Sequence, residues 1–100
     1  MPIFILLSTL TQQGVQTIKS NPERLRQVNA DVEEFGCKVL HQWATLGEFD
    51  FVNIVEAPDN ETVARISVEL GARGTVQLTT LAAIPVDAFT KMLKSRSDGG

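Results

Sequence analysis

The stretch Cys37-Lys38-Val39-Leu40-His41-Gln42-Trp43-Ala44-Thr45 followed by Phe49-Asp50-Phe51-Val52-Asn53-Ile54-Val55-Glu56 decides the fold. Both halves alternate along the chain, with Cys37, Val39, His41 and Trp43 on one side and Lys38, Leu40, Gln42 and Ala44 on the other, which is the period of a strand. Leu46-Gly47-Glu48 joins them too tightly for a crossover, so the two strands are expected to pair as an antiparallel hairpin. A hairpin at mid-chain then constrains what can lie on either side of it.

Working outward, Ile3-Phe4-Ile5-Leu6-Leu7-Ser8-Thr9-Leu10 is β-branched and apolar on both sides, the pattern of a strand covered on both faces. Thr11-Gln12-Gln13-Gly14 breaks it, and Val15 with Ile18 suggests one short helical turn. Asn21-Pro22-Glu23 is a helix start, with Asn21 as acceptor for free amide hydrogens, Pro22 in the first turn and Glu23 at the positive end. Leu25, Val28, Val32 and Phe35 follow at helical spacing until Gly36. After the hairpin, Asp59 caps a helix through Val63, Ile66 and Leu70 that closes at Gly71. Thr75 to Ile84 is the last strand, and Pro85-Val86-Asp87 opens a short helix with Val86, Phe89 and Leu93 inward. Residues 95–100 are expected to be a frayed tail.

The order is β-α-β-β-α-β with a terminal helix, the split pattern of an α+β, ferredoxin-like fold: a four-stranded antiparallel sheet with two helices on one face. At 100 residues, without repeat or linker, residues 1–100 are read as one domain. The apolar fraction of 43% is that of a globular chain. The longest apolar runs, Ile3 to Leu7 and Leu81 to Ile84, fall far short of the roughly 20 residues of a membrane span. No leader pattern opens the chain, and a cytoplasmic location is expected. Nine basic against 12 acidic side chains give a net charge of −3, which argues against general attraction to phosphate backbones. One cysteine and one histidine exclude an internal disulfide, a thiolate metal site and an imidazole triad within one protomer, leaving open only a site assembled from several subunits; neither cofactor nor metal is expected.

The first strand carries the consequence for assembly. Phe4 and Leu6 lie on one side, Ile3, Ile5 and Leu7 on the other, yet two helices cover only one face. The helix-free face would be a large apolar patch unless another copy shields it, so a homo-oligomer through the open face is expected. The alternative is that the terminal helix folds back over the sheet.

The turn Leu46-Gly47-Glu48-Phe49-Asp50, with Glu56-Ala57-Pro58-Asp59 following, resembles the GYD-domain family, named for a Gly-Tyr-Asp motif. The early strand before Thr11-Gln12-Gln13-Gly14, the Ser20-Asn21-Pro22-Glu23-Arg24 helix start and Leu70-Gly71-Ala72-Arg73-Gly74 leading to Thr79-Thr80-Leu81 agree with it, so the resemblance spans Ile3 to Phe89. Glu48 fits the Gly-x-Tyr-Asp pattern of many relatives, but Phe49 stands where they have tyrosine, so no role of a phenol is available here. The resemblance implies a ferredoxin-like fold and no mechanism. Structurally, Gly47 supplies the positive φ of a turn, Phe49 packs at the strand start and Asp50 accepts turn amide hydrogens. Functionally, Glu48 and Asp50 would form a pocket rim.

The candidate site is the polar set within the apolar strands. If His41, Trp43, Asn53 and Thr79 meet on the open face, with Glu48, Phe49 and Asp50 at its rim, an apolar cavity with a few polar groups results, suited to a small ligand. The chain is accordingly read as a homo-oligomeric module binding a small molecule or a partner. The alternative is a cofactor-independent enzyme with His41 as acid or base in an interface cavity. Phe49 to Ile54 superficially resembles the aromatic strand of RNA-recognition domains, with Phe4 as the matching aromatic, but Glu48, Asp50 and the overall acidity oppose RNA binding. Gly71-Ala72-Arg73-Gly74 matches a phosphate-clamping Gly-x-x-Gly loop only weakly, since here it joins a helix to a strand. Cys37 reads as a small buried residue and not as a nucleophile.

Overall fold

A computed structural model describes residues 1–99 of the chain, with side chains as far as 95. Its elements are β1 (Ile3–Leu10), α1 (Gln12–Ser20), α2 (Arg24–Glu34), β2 (Lys38–Ala44), β3 (Phe51–Glu56), α3 (Asn60–Gly71), β4 (Val76–Ala83) and α4 (Val86–Gly99). The strands form one antiparallel sheet in the order β2-β3-β1-β4, as expected of the ferredoxin-like pattern. The apolar β1 takes a central place, which is why it is apolar on both sides. Gly100 and the side chains from 96 on lie outside the described residues, and with them most of the tail expected to fray.

The even residues of β1 face the helices. Phe4, Leu6 and Val55 pack there with Val32 of α2 and Val63, Ile66 and Leu70 of α3 to form the core. Phe4 and Leu6 are therefore roofed by their own chain, each 3% exposed, and neither belongs to the helix-free side. The aromatic that an RNA-binding sheet would need from β1 is thus inside the protein. The helix-free side is built from the other row: Ile5 stands opposite Ile54 and Leu81, and Leu7 opposite Val52 and Thr79. The need for a cover stays, carried by Ile3, Ile5 and Leu7.

Three local corrections have physical causes. The segment after Thr11 is a nine-residue helix instead of a single turn, because the Thr11 hydroxyl accepts from the Gly14 amide at 3.1 Å and caps it. Asn21 does not cap α2 through its side chain. Its amide closes α1 on the Thr17 carbonyl, and its carbonyl accepts from Arg24 N at 3.0 Å, so α2 starts from a backbone turn. Phe49 precedes β3, which begins at Phe51, and the connection from β2 is correspondingly looser, with Gly47 at φ 106.

The second glycine of note is Gly14, buried where α1 meets the start of β4. The Thr11 amide donates to the Thr75 carbonyl at 3.0 Å and the Thr11 hydroxyl to the Gly74 carbonyl at 2.7 Å, drawing the helix down onto that backbone. A Cβ on Gly14 would stand 2.0 Å from the Thr75 oxygen. Only a residue without one fits.

The Asp59 cap of α3 is as expected: its Oδ1 accepts from the Thr62 hydroxyl at 2.6 Å and the Thr62 amide at 2.8 Å. These two bonds hold its carboxyl below the usual carboxylate value. A lowered folded-state pKa means that the cap's contribution is complete above the ordinary aspartate pKa and lost as pH falls through the folded value. Asp59→Asn is expected to flatten the acid side of the stability profile, measured by denaturant melts from neutral pH down to about 3.

The terminal helix departs furthest from expectation. Val86, Phe89 and Leu93 are 75%, 45% and 51% exposed, so they do not face inward. α4 packs along no other element among the described residues. The molecule measures 57 × 29 × 19 Å, and its radius of gyration of 15.9 Å exceeds the roughly 13 Å of a compact 100-residue domain. The fold-back alternative is not what the structure adopts.

Candidate functional site

The expected constellation divides between three places. His41 and Trp43 lie on the helix-free face, because β2 shifts register between Val39 and His41. Val39 pairs with Val55 on the helix side, whereas His41 pairs with Ile54 and Trp43 with Val52 on the open side. One extra residue in the strand turns the pattern over, so the expected shared side of Val39, His41 and Trp43 does not exist. The two rings stack, with centroids 5.4 Å apart and planes 9° from parallel. Thr79 shares this face at the other edge of the sheet, three strands away.

Asn53 is on the opposite side, across from Leu6 and Gln42. It therefore cannot join His41 in one cavity. Its Oδ1 is buried and has no hydrogen-bond partner. Gln42 and Asn29 of α2, next to it, exchange two amide hydrogen bonds of 2.9 and 3.0 Å.

Glu48, Phe49 and Asp50 sit in the connection at one end of the sheet. Glu48 is exposed, and the Phe49 carbonyl accepts from the Thr45 hydroxyl at 2.6 Å. Asp50 ties three segments together. Its Oδ2 accepts from Leu10 N at 2.8 Å, its amide donates to the Ser8 carbonyl at 2.8 Å, and its carbonyl accepts from Thr45 N at 2.8 Å. The carboxylate thus pairs the last amide of β1, where β3 has not yet begun. Asp50→Ala is expected to leave that amide unpaired and to cost about 1 to 2 kcal/mol in a denaturant melt. An unchanged midpoint would contradict this role.

The weaker motifs resolve into packing. Arg73, within the Gly71 to Gly74 turn, is 2.9 Å from Asp31 of α2, and Gly74 has φ 80. Cys37 is buried, and burial together with the nearby Asp59 charge pushes its thiol above the ordinary value. A thiol so held stays protonated and is a poor nucleophile. No group of three His, Cys, Asp or Glu side chains among the described residues could hold a metal ion. No helix among them is long and apolar enough to cross a membrane.

The surface without a partner is apolar. On the open face Ile3, Ile5, Leu7, Val52, Ile54 and Leu81 adjoin across β3, β1 and β4, bordered by the His41 and Trp43 stack. α4 carries Val86, Phe89, Met92 and Leu93 along one stripe and Asp87, Lys91 and Lys94 along the other. Sequence reasoning recognised the first surface and missed the second. The signal was the same periodicity, read as a core-facing stripe.

The model of the GYD domain matches residues 4–93. The chain belongs to the GYD domain family. It is also 52% identical over 95 residues to the glutamine synthetase and cystathionine beta-lyase binding protein of Thermus thermophilus, a match that covers 94% of this chain and 100% of that relative. No solved structure matches the chain. Asp50, in the turn that carries the family resemblance, joins β1 to the hairpin connection.

Proposed function

We propose that this GYD protein is a self-assembling module that binds other proteins in the cytoplasm, and that enzymes such as glutamine synthetase are its class of partner. The observation that carries the proposal is the pair of uncovered apolar surfaces, the open sheet face and the α4 stripe. An exposed surface of this kind is normally covered in solution. The two are matched in size. A 14-residue helix is roughly 21 Å long, and four strands at about 4.8 Å span about 19 Å. In this arrangement α4 of one copy crosses the open face of the next, since its own sheet does not receive it.

The partner class rests on the name of the Thermus relative, a glutamine synthetase and cystathionine beta-lyase binding protein that matches nearly the whole chain at 52% identity. The test is capture of purified glutamine synthetase and cystathionine beta-lyase from the same source by the immobilised protein, read by mass spectrometry and by the activity of each captured enzyme. Saturable capture of either supports the reading. Failure of both to bind at micromolar concentration would overturn the partner class. The competing reading, catalysis by His41 in a cavity closed by a neighbouring copy, draws only on the place of the His41 and Trp43 stack beside the face to be covered.

A further inference from the structure

The face that the helices cover is not filled. A cavity of about 80 Å³ lies between α1, α2 and the sheet. Leu6, Val28, Val32, Val39, Val55 and Leu78 are among the apolar residues of its wall. It is separate from the surfaces proposed for assembly, because its floor is the opposite side of the sheet.

Two polar groups on this wall set the chemistry proposed for it. The first is the Asn53 carboxamide, on the central strand β3, with its oxygen buried and unpaired. An apolar side chain there would pack against Leu6 without leaving an orphaned acceptor, so asparagine is a costly choice for structure alone. The second is Arg24, the first residue of α2, whose Nη1 donates to the neutral Gln27 Oε1 at 3.0 Å. The ion pairs of the described residues are Arg26 with Glu23, Arg65 with Glu69 and Arg73 with Asp31, and none includes Arg24. Elsewhere on the wall Gln42 bonds Asn29, Arg73 pairs with Asp31 and the Thr17 hydroxyl donates to the Gln13 carbonyl, while the hydroxyls of Ser8 and Thr75 also line the slot.

An apolar slot with an unpaired amide on its floor and a free cation on its wall selects a particular chemistry. We propose that the cavity binds a short unbranched hydroxy acid, with its hydroxyl on Asn53, its methylenes among Leu6, Val28 and Val39, and its carboxylate on Arg24. A hydroxyl both donates and accepts, so it satisfies the carboxamide whichever end Asn53 presents. The size follows from the volume. A 150 Å³ apolar cavity takes benzene, about 25 Å³ per carbon, so about 80 Å³ encloses roughly three heavy atoms, the hydroxyl and the two methylenes next to it, and the rest of the chain runs along the open side of the slot to Arg24.

The test uses the full chain, isotope-labelled for NMR, and three matched probes: 5-hydroxypentanoate, pentanoate, which lacks the hydroxyl, and 1-pentanol, which lacks the carboxylate. In the wild type, 5-hydroxypentanoate is expected to bind most tightly, with intermolecular NOEs to the methyl groups of Leu6, Val28 and Val39. Asn53→Leu is expected to weaken 5-hydroxypentanoate about 10-fold and leave pentanoate unchanged. Arg24→Gln is expected to weaken both acids about 10-fold and leave 1-pentanol unchanged. Equal affinity for all three probes, no binding at millimolar concentration (a cavity holding water alone), or NOEs to Ile5 and Leu81 of the open face would each overturn the proposal. The wild-type NOEs decide the location even if a variant fails to fold.

Discussion

Gly14→Ala is expected to be the most damaging single methyl in this protein. The added Cβ meets the Thr75 carbonyl oxygen at 2.0 Å and its carbon at 3.0 Å, and both are backbone atoms that cannot rotate away. That oxygen also accepts from Thr11 N, so displacing it breaks the contact that seats the start of α1 on β4. Overpacking against an immobile neighbour costs about 3 kcal/mol, at the upper end of the usual range. For a domain of this size that lowers Tm by roughly 15 °C, at about 4–8 °C per kcal/mol. Gly71→Ala is the matched control, since a Cβ at this helical position meets nothing within 4 Å. It removes a flexible residue from a helix and is expected to leave Tm unchanged or slightly raised. Equal melting of the two variants would contradict the account of the α1 to β4 junction.

The second large effect concerns assembly. Phe89→Asp is expected to reduce the particle to a monomer without loss of secondary structure. Phe89 is 45% exposed and lies outside the core cluster, and α4 packs along no other element among the described residues. In an assembly its ring would be buried against a neighbour, where an unpaired carboxylate is heavily penalised. Leu7→Asp tests the opposing surface, since Leu7 lies mid-sheet on the open face between Val52 and Thr79. Both substitutions are expected to give the same change in mass. If Phe89→Asp leaves the mass of an oligomer intact, α4 is not part of the interface.

The fold was legible in the sequence where one force dominates. Alternation in Phe51 to Glu56, the capped run from Asp59 to Gly71 and the doubly apolar β1 each specify one structure, and topology rules leave few ways to connect them. Asp59 was legible as a cap because its bonding partner lies three residues away. Asn21 was not, because the α1 terminus used its amide first. The candidate site was far less legible, and the reason is register. The shift between Val39 and His41 moved one half of β2 to the other face, and no residue type in Val39-Leu40-His41 announces it. Asn53 stands out in the sequence as a polar residue in an apolar strand, but its side of the sheet follows from pairing with Leu6 and not from its neighbours in sequence. The α4 stripe was also recognisable, yet periodicity reports that a helix has an apolar face without saying whether its own chain covers it.

Further copies of the chain are proposed to cover the open sheet face and α4. Light scattering coupled to gel filtration at micromolar concentration tests it most directly. A mass at an integer multiple of 10.9 kDa, returning to 10.9 kDa in Phe89→Asp, is the predicted result. A wild-type particle of 10.9 kDa would contradict it.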